Sequence, residues 1–518
     1  MNIAFILIRA LSLYAEKEAV VCGPQRFTYR QLADRIYRLC SFLKTTGVDK
    51  GDRLAILHQN SHQFIEAYFA AAHLGAILVP LNIRLSPREL SFILEDSGAA
   101  LLISSRRFGP QVMDLQETGS GLRHIIWTGP GETPATYASF DYEEILKAEP
   151  ATLPPSPAVS DDDIAHLYYT SGTTGRPKGV ILSHKNVCVH ALAAIAELRL
   201  SDRDNWIHAA PLFHLADAWA TFAVTWVGGK HVMVEDFEPS KVLKIMQREQ
   251  ITITNMIPTM LNILVNIPGV GKHDFSSLRV LLSGGAPIAP EVVRKIMETF
   301  RCDYIQTYGM TETSPYLTLS ILKENLLRLP PEEQFHYKAR TGRPFIGVLL
   351  KVVKEDGSEV LPNDEEVGEI VVKGDTVTGG YWNRPEETAA ALKDGWLYTG
   401  DMATVNEDGY VNIVDRKKDV IITGGENVYS VEVENVLYAH PATLEAAVIG
   451  VPDPKWGEAV KAVVVLRPGC QATEDEMIQY CKKEIAGYKA PKTVDFVKAL
   501  PKTGSGKIYK KGLKEKYR

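Results

Sequence analysis

The sequence predicts an α/β protein: a large layered α/β N-terminal domain carrying a β-rich subdomain, followed by a small, mobile α+β C-terminal domain. Three observations predict this class. Apolar strand-like runs alternate with amphipathic helical stretches through most of the chain, the pattern of sheets covered by helices. The texture then changes to short strands separated by Gly, Asp and Asn turns, as in Val367-Gly368-Glu369-Ile370-Val371-Val372-Lys373-Gly374 and Gly409-Tyr410-Val411-Asn412-Ile413-Val414. After the charged run Asp415-Arg416-Lys417-Lys418-Asp419, mixed patterns resume for about a hundred residues, enough for a second domain. The expected domains are therefore 1–417 and 418–518, with the boundary at Lys418.

Taken in order, residues 1–13 are apolar but lack a basic leader and are interrupted by Arg9, so they read as a core-facing helix rather than a signal peptide. Thr28 is placed to cap a helix that buries Leu32, Ile36 and Leu39. Gly75-Ala76-Ile77-Leu78-Val79-Pro80 reads as a buried strand. Ser86-Pro87-Arg88-Glu89 combines capping-box spacing with a proline at the first helical position. The segment 149–163, rich in Pro, Ser and Asp, is a surface connection. Strand-like runs at 164–169 and 180–182 bracket a polar glycine-rich loop, and another occupies 278–282.

Composition excludes several function classes. With 45% hydrophobic and 23% charged residues, neither disorder nor a fibrous repeat is indicated. A formal charge of -6 over 518 residues provides no basic face, and no nucleic-acid partner is expected. Six cysteines without a Cys-x-x-Cys pair argue against zinc or a disulfide framework and fit a reducing, cytoplasmic setting. No uncharged apolar run approaches the ~20 residues of a membrane span, so no integral membrane segment is expected.

The most informative stretch is Tyr169-Thr170-Ser171-Gly172-Thr173-Thr174-Gly175-Arg176-Pro177-Lys178-Gly179. Glycines let backbone N–H groups approach phosphate oxygens, the Ser and Thr hydroxyls add hydrogen bonds, and Lys178 adds a charge-assisted one. A polar hairpin turn needs only one or two such residues, not the six in succession from Thr170 to Gly175 with Lys178 and Gly179 close behind. The Walker A spacing is absent.

This loop resembles the phosphate loop of the adenylate-forming superfamily: acyl-CoA synthetases, peptide-synthetase adenylation domains and luciferases. The resemblance extends downstream through Tyr308-Gly309-Met310-Thr311-Glu312, Tyr398-Thr399-Gly400-Asp401, the run Asp415 to Asp419, Gly424-Gly425-Glu426-Asn427 and Pro501-Lys502-Thr503-Gly504-Ser505-Gly506-Lys507. Singly, Tyr308 could be a core aromatic, Asp401 a turn residue and Lys507 a surface lysine. Their order and spacing across nearly the whole chain carry the resemblance.

The resemblance implies an ATP-dependent enzyme that activates a carboxylic acid as its acyl-adenylate and passes it to coenzyme A. It implies ATP/AMP contacts at Thr170, Ser171, Gly172, Thr173, Thr174, Gly175, Lys178, Gly285, Ala286, Gln306, Thr307, Tyr308, Gly309, Met310, Asp401 and Arg416. Mg2+ would be bound by Glu312 and Thr170, with Lys507, Thr311 and His214 catalytic. It further implies a hinge at Lys418 and CoA contacts at Gly424 and Gly425. The chemistry agrees: a carboxylate attacking an α-phosphate brings two negative charges together, so cations and donors must neutralise the developing charge.

The resemblance also puts His214, Trp219 and Tyr316, with Trp226, Ile257 and Met260, in segments that form the family's acyl pocket. Amino-acid-activating relatives tend to carry Asp where His214 stands, which disfavours amino-acid substrates. The apolar character of these residues suggests a fatty, alicyclic or aromatic monocarboxylic acid. The alternative acceptor is a carrier protein acting in trans, since no carrier domain is expected here. A monomer or homodimer is expected.

Overall fold

The computed structural model describes residues 1–117, 121–132, 137–155, 158–171, 177–286, 288, 290–503 and 507–517. Strands of the large N-terminal domain form a nine-stranded and a seven-stranded sheet. The capping signals read from sequence operate as expected. Thr28 and Ser86 each form a capping box, starting the helices Tyr29–Thr45 and Pro87–Ser97. The helix Ala4–Tyr14 departs in part from its expectation: Ile6, Leu7 and Ala10 are buried, whereas Phe5, Ile8 and Leu13 face outward.

One apolar core lies between the two sheets. It joins Leu54, Ile56, Leu78 and Ile103 of one sheet to Ile253, Leu282 and Ile305 of the other. The helices Tyr29–Thr45, His62–Leu74, His184–Leu198 and Leu215–Val227 fill the space between them. His62–Leu74 is buried on every side, as its nearly continuous apolar composition requires. Separate cores cover the outer faces: helices Pro239–Arg248, Pro258–Val265 and Pro290–Phe300 on the nine-stranded sheet, and Pro87–Ser97 on the seven-stranded sheet. Side-chain alternation divides each strand between two cores; Leu281 and Leu282 face opposite ways.

The β-rich subdomain is a five-stranded sheet that includes Gly368–Lys373, Trp396–Val405 and Val411–Arg416. The smaller C-terminal domain is built on the antiparallel pair Thr443–Asp453 and Gly457–Leu466. Helices Ser430–Ala439 and Glu474–Glu484 cover one face, and Lys510–Lys516 covers the other. It rests on the helix Pro258–Val265, where Asn262 Nδ2 donates to the Leu444 carbonyl at 3.3 Å. Among the described residues, no helix is long and apolar enough to cross a membrane.

Candidate active site

Six neighbouring strands of the nine-stranded sheet run parallel, so their carboxyl ends open on one edge, the usual place for a ligand crevice. Val280–Gly284 ends there and is followed by Gly285, whose φ of +89° lies in the left-handed region. The Lys507 side chain lies across this turn: a β-carbon at Gly285 would sit 3.3 Å from Lys507 Cε and 3.9 Å from its Nζ. The adjacent strand Asp303–Gly309 carries Gln306, whose Nε2 donates to the Ala286 carbonyl at 3.4 Å, and Thr307, whose hydroxyl donates to the Ser283 carbonyl at 3.1 Å.

Tyr308 donates its hydroxyl to Asp401 Oδ2 at 2.7 Å, and Arg416 Nε stands 3.3 Å from Asp401 Oδ1. The pairing of Asp401 with Arg416 across neighbouring strands brings both groups to the crevice. At Gly309 the backbone passes so near Pro315 that a β-carbon would lie 1.8 Å from its carbonyl oxygen. Met310 donates its N–H to that oxygen, and the short turn Thr311–Thr313 then directs Glu312 inward. Glu312 is buried and accepts a hydrogen bond from the Tyr381 hydroxyl at 2.9 Å. The Lys178 ammonium lies 4.0 Å from the centre of the Tyr381 ring and 3.2 Å from Glu387 Oε2.

Burial and Arg416 push the Lys507 ammonium down to about 8, while Asp401 and Glu312 pull the other way. Burial raises the Asp401 carboxyl above the ordinary carboxylate range, opposed by Arg416 and by the Tyr308 hydroxyl. Burial beside Asp401 also raises the Tyr308 phenol, and burial beside Glu312 raises Tyr381. The crevice thus concentrates titratable groups whose ordinary ionisation is disturbed, which is characteristic of functional sites.

The remaining expected residues are placed as follows. Thr170 pairs with Lys178 and Ser171 with Pro177 across an antiparallel hairpin; Gly172, Thr173, Thr174 and Gly175 lie outside the described residues, as does the 504–506 arm before Lys507. Trp219 and Tyr316 come together, with ring centroids 5.1 Å apart, in a cluster completed by His190. His214 packs against Phe213, with centroids 4.8 Å apart. Trp226 belongs to the core between the sheets, but Ile257 and Met260 belong to the cluster on the opposite face of the nine-stranded sheet. Ile257 and Met260 follow the strand Ile253–Met256, in the turn and helix after it, and Ile257 Cγ2 lies 3.8 Å from where a β-carbon at Gly285 would sit, beside Lys507. Gly424 and Gly425 form the turn between Ile421–Thr423 and Glu426–Val428, where Gly424 packs on Trp456.

Sequence reasoning missed Tyr381 and His190. The aromatic pair after a double glycine, Gly379-Gly380-Tyr381-Trp382, was an available signal for the first; a lone histidine in an apolar helix offered none for the second.

The AMP-binding enzyme family profile matches residues 8–382, and that of the AMP-binding enzyme C-terminal domain matches 432–507. The chain belongs to the AMP-binding enzyme family. This AMP-binding enzyme is 39% identical over 511 residues to a feruloyl-CoA synthase of Amycolatopsis, covering 98% of each chain. It is 34% identical to a fatty acid–acyl-carrier-protein ligase of Streptomyces coeruleorubidus, covering 99% of this chain and 96% of the relative. Its fold matches an anthranilate CoA ligase solved with anthranoyl-AMP at a TM-score of 0.91 and 29% identity, covering 100% of this chain and 97% of that one. The AMP-binding enzyme is thus an ATP-dependent, AMP-forming acid ligase of the acyl-CoA synthetase type.

Proposed function

We propose that this enzyme activates a fatty, alicyclic or aromatic monocarboxylic acid and transfers the acyl group to coenzyme A in the cytoplasm. The observation that carries the proposal is the convergence of Lys507, Asp401, Tyr308 and Glu312 on the strand ends around Gly285. In the first half-reaction a substrate carboxylate oxygen bonds to the α-phosphorus of ATP, the bond to the β-phosphate oxygen breaks, and pyrophosphate leaves. Lys507 and Thr311 neutralise charge where carboxylate and phosphate meet. Asp401 holds the ribose hydroxyls, Tyr308 the adenine, and Lys178 with the hairpin ends the phosphates. The buried Glu312 carboxylate, with Thr170, would hold Mg2+, which would neutralise charge on the ATP phosphates. In the second half-reaction the CoA sulfur bonds to the carbonyl carbon and AMP departs.

Lys507 stands where CoA must later approach, so the C-terminal domain, residues 418–518, rotates about Lys418 between the two steps. A backbone bond on one side and a side-chain ion pair on the other support that hinge, which sits in a turn where the Asp419 and Val420 N–H groups donate to the Arg416 carbonyl. The Lys417 N–H donates to the Gly400 carbonyl at 2.9 Å, tying it to the subdomain sheet, whereas Asp419 pairs with Lys514 of the terminal helix at 3.0 Å. Lys418 lies between the two anchors. Rotation carries the Gly424–Gly425 turn toward the CoA path, and the Trp219–Tyr316 cluster bounds the acyl end with His214 at its entrance. The working unit is a monomer or homodimer.

A carboxylic-acid panel spanning acetate, long-chain fatty acids, benzoates and hydroxycinnamates tests the proposal by pyrophosphate release with and without CoA. Pyrophosphate, AMP and CoA-dependent thioester are the expected products. ADP with inorganic phosphate would overturn the adenylation reading. A second reading, transfer to a carrier protein in trans, is favoured by the carrier-protein ligase among the relatives. Adenylate formation without CoA-dependent turnover would select it.

A further inference from the structure

We propose that Asp96, outside every ATP-related motif above, is a positioning residue for the ATP-phosphate subsite. It holds the two strands from which the phosphate loop springs. The inference rests on the ATP-dependent reading of that subsite.

Asp96 lies in the last turn of the helix Pro87–Ser97, where a carboxylate opposes the helix dipole and carbonyls lack helical partners. The side chain is only 10% exposed. Its two oxygens are used in different directions. Oδ2 accepts the Tyr169 hydroxyl at 2.7 Å, and Oδ1 accepts Arg384 Nη2 at 2.8 Å. The Asp96 carbonyl accepts the Trp382 indole N–H at 2.9 Å and Asn383 Nδ2 at 3.5 Å.

These contacts reach both strands of the hairpin. Tyr169 immediately precedes Thr170 on the strand leading into the loop. On the returning strand, the Gly179 carbonyl accepts the Trp382 backbone N–H at 2.8 Å, next to Lys178. Tyr169 and Gly179 are also cross-strand partners, and a β-carbon at Gly179 would meet the Tyr169 ring at 3.1 Å and Trp382 Cβ at 3.2 Å. Asp96 therefore fixes one strand through Tyr169 and braces the other through the 382–384 segment. That segment adjoins Tyr381, which contacts Lys178 and Glu312. Arg384 offsets the charge that Asp96 would otherwise place near incoming phosphates, so the carboxylate positions without repelling.

The test is ATP titration by calorimetry, without any carboxylic acid, on wild type, Asp96→Ala, Tyr169→Phe and the double variant. The ATP Kd is expected to rise roughly tenfold in Asp96→Ala, about 1.4 kcal/mol, and a few-fold in Tyr169→Phe. The double variant should match Asp96→Ala alone, because the tyrosine hydroxyl acts through Asp96. Thioester formation from a pre-made acyl-adenylate should stay within twofold of wild type. An unchanged ATP Kd, additive losses, or an equal fall in the thioester step would overturn the inference. If Asp96→Ala does not fold, Tyr169→Phe alone decides it, since it removes one hydroxyl; an unchanged Kd there refutes the clamp. Wild-type ATP binding without adenylate formation on any acid would refute the functional reading while leaving this measurement valid.

Discussion

Replacing Lys507 with alanine separates the two half-reactions. The ammonium lies over Gly285, with its Nζ 3.9 Å from the position a β-carbon would take. For an ammonium in contact with a phosphate at about 4 Å and an effective dielectric of about 20, one unit pair is worth about 4 kcal/mol, or roughly three decades in rate. Loss of one donor from a preorganised oxyanion site typically costs about 10²- to 10³-fold, so the two magnitudes agree. Single-turnover adenylate formation in Lys507→Ala should fall by about that factor. Thioester formation from synthetic acyl-adenylate should change less than about threefold. The ammonium must be charged to act, and the crevice pushes it down to about 8. Adenylation kcat/KM should therefore be flat below that pH and decline as pH rises through about 8. Bound ATP, being anionic, holds the proton on, so the corresponding limb in kcat should lie higher. Rapid-quench assays across pH check both halves. Equal loss in the two steps, or a basic limb near pH 8 that survives in Lys507→Ala, would refute the reasoning.

Other outcomes follow from the same geometry. Gly309→Ala forces a β-carbon against the Pro315 carbonyl at 1.8 Å, a backbone clash; thermal unfolding should move down by several degrees and ATP affinity should collapse. Tyr381→Phe removes the hydrogen bond to Glu312 but keeps the ring under Lys178, so the half-saturating Mg2+ concentration should rise about threefold to tenfold with little change in Tm. Trp219→Ala empties part of the cluster with His190 and Tyr316. It should cost about 3–5 kcal/mol in denaturant unfolding and shift the kcat/KM ratio about tenfold toward bulkier acids. A lower stability with an unchanged ratio would remove Trp219 from the acyl wall.

The sequence by itself determined where elements begin and what chemistry the chain carries. Capping at Thr28 and Ser86 depends on residues three positions apart, and strand periodicity on immediate neighbours, so both are written locally. The family to which the chain belongs was legible for a related reason: its motifs are short contiguous strings, and several strings in a fixed order admit few meanings. Tertiary structure alone decided which strings meet. Tyr308 reaches Asp401 across 93 residues, Tyr381 reaches Glu312 across 69, and Asp96 reaches Arg384 across 288. It also placed Trp219 in the core between the sheets and Met260 in the cluster on the outer face of the nine-stranded sheet. Such pairings are set by the order of strands in a sheet and by which face each alternating side chain presents. Those are properties of the assembled layers, and no stretch of neighbouring residues contains them.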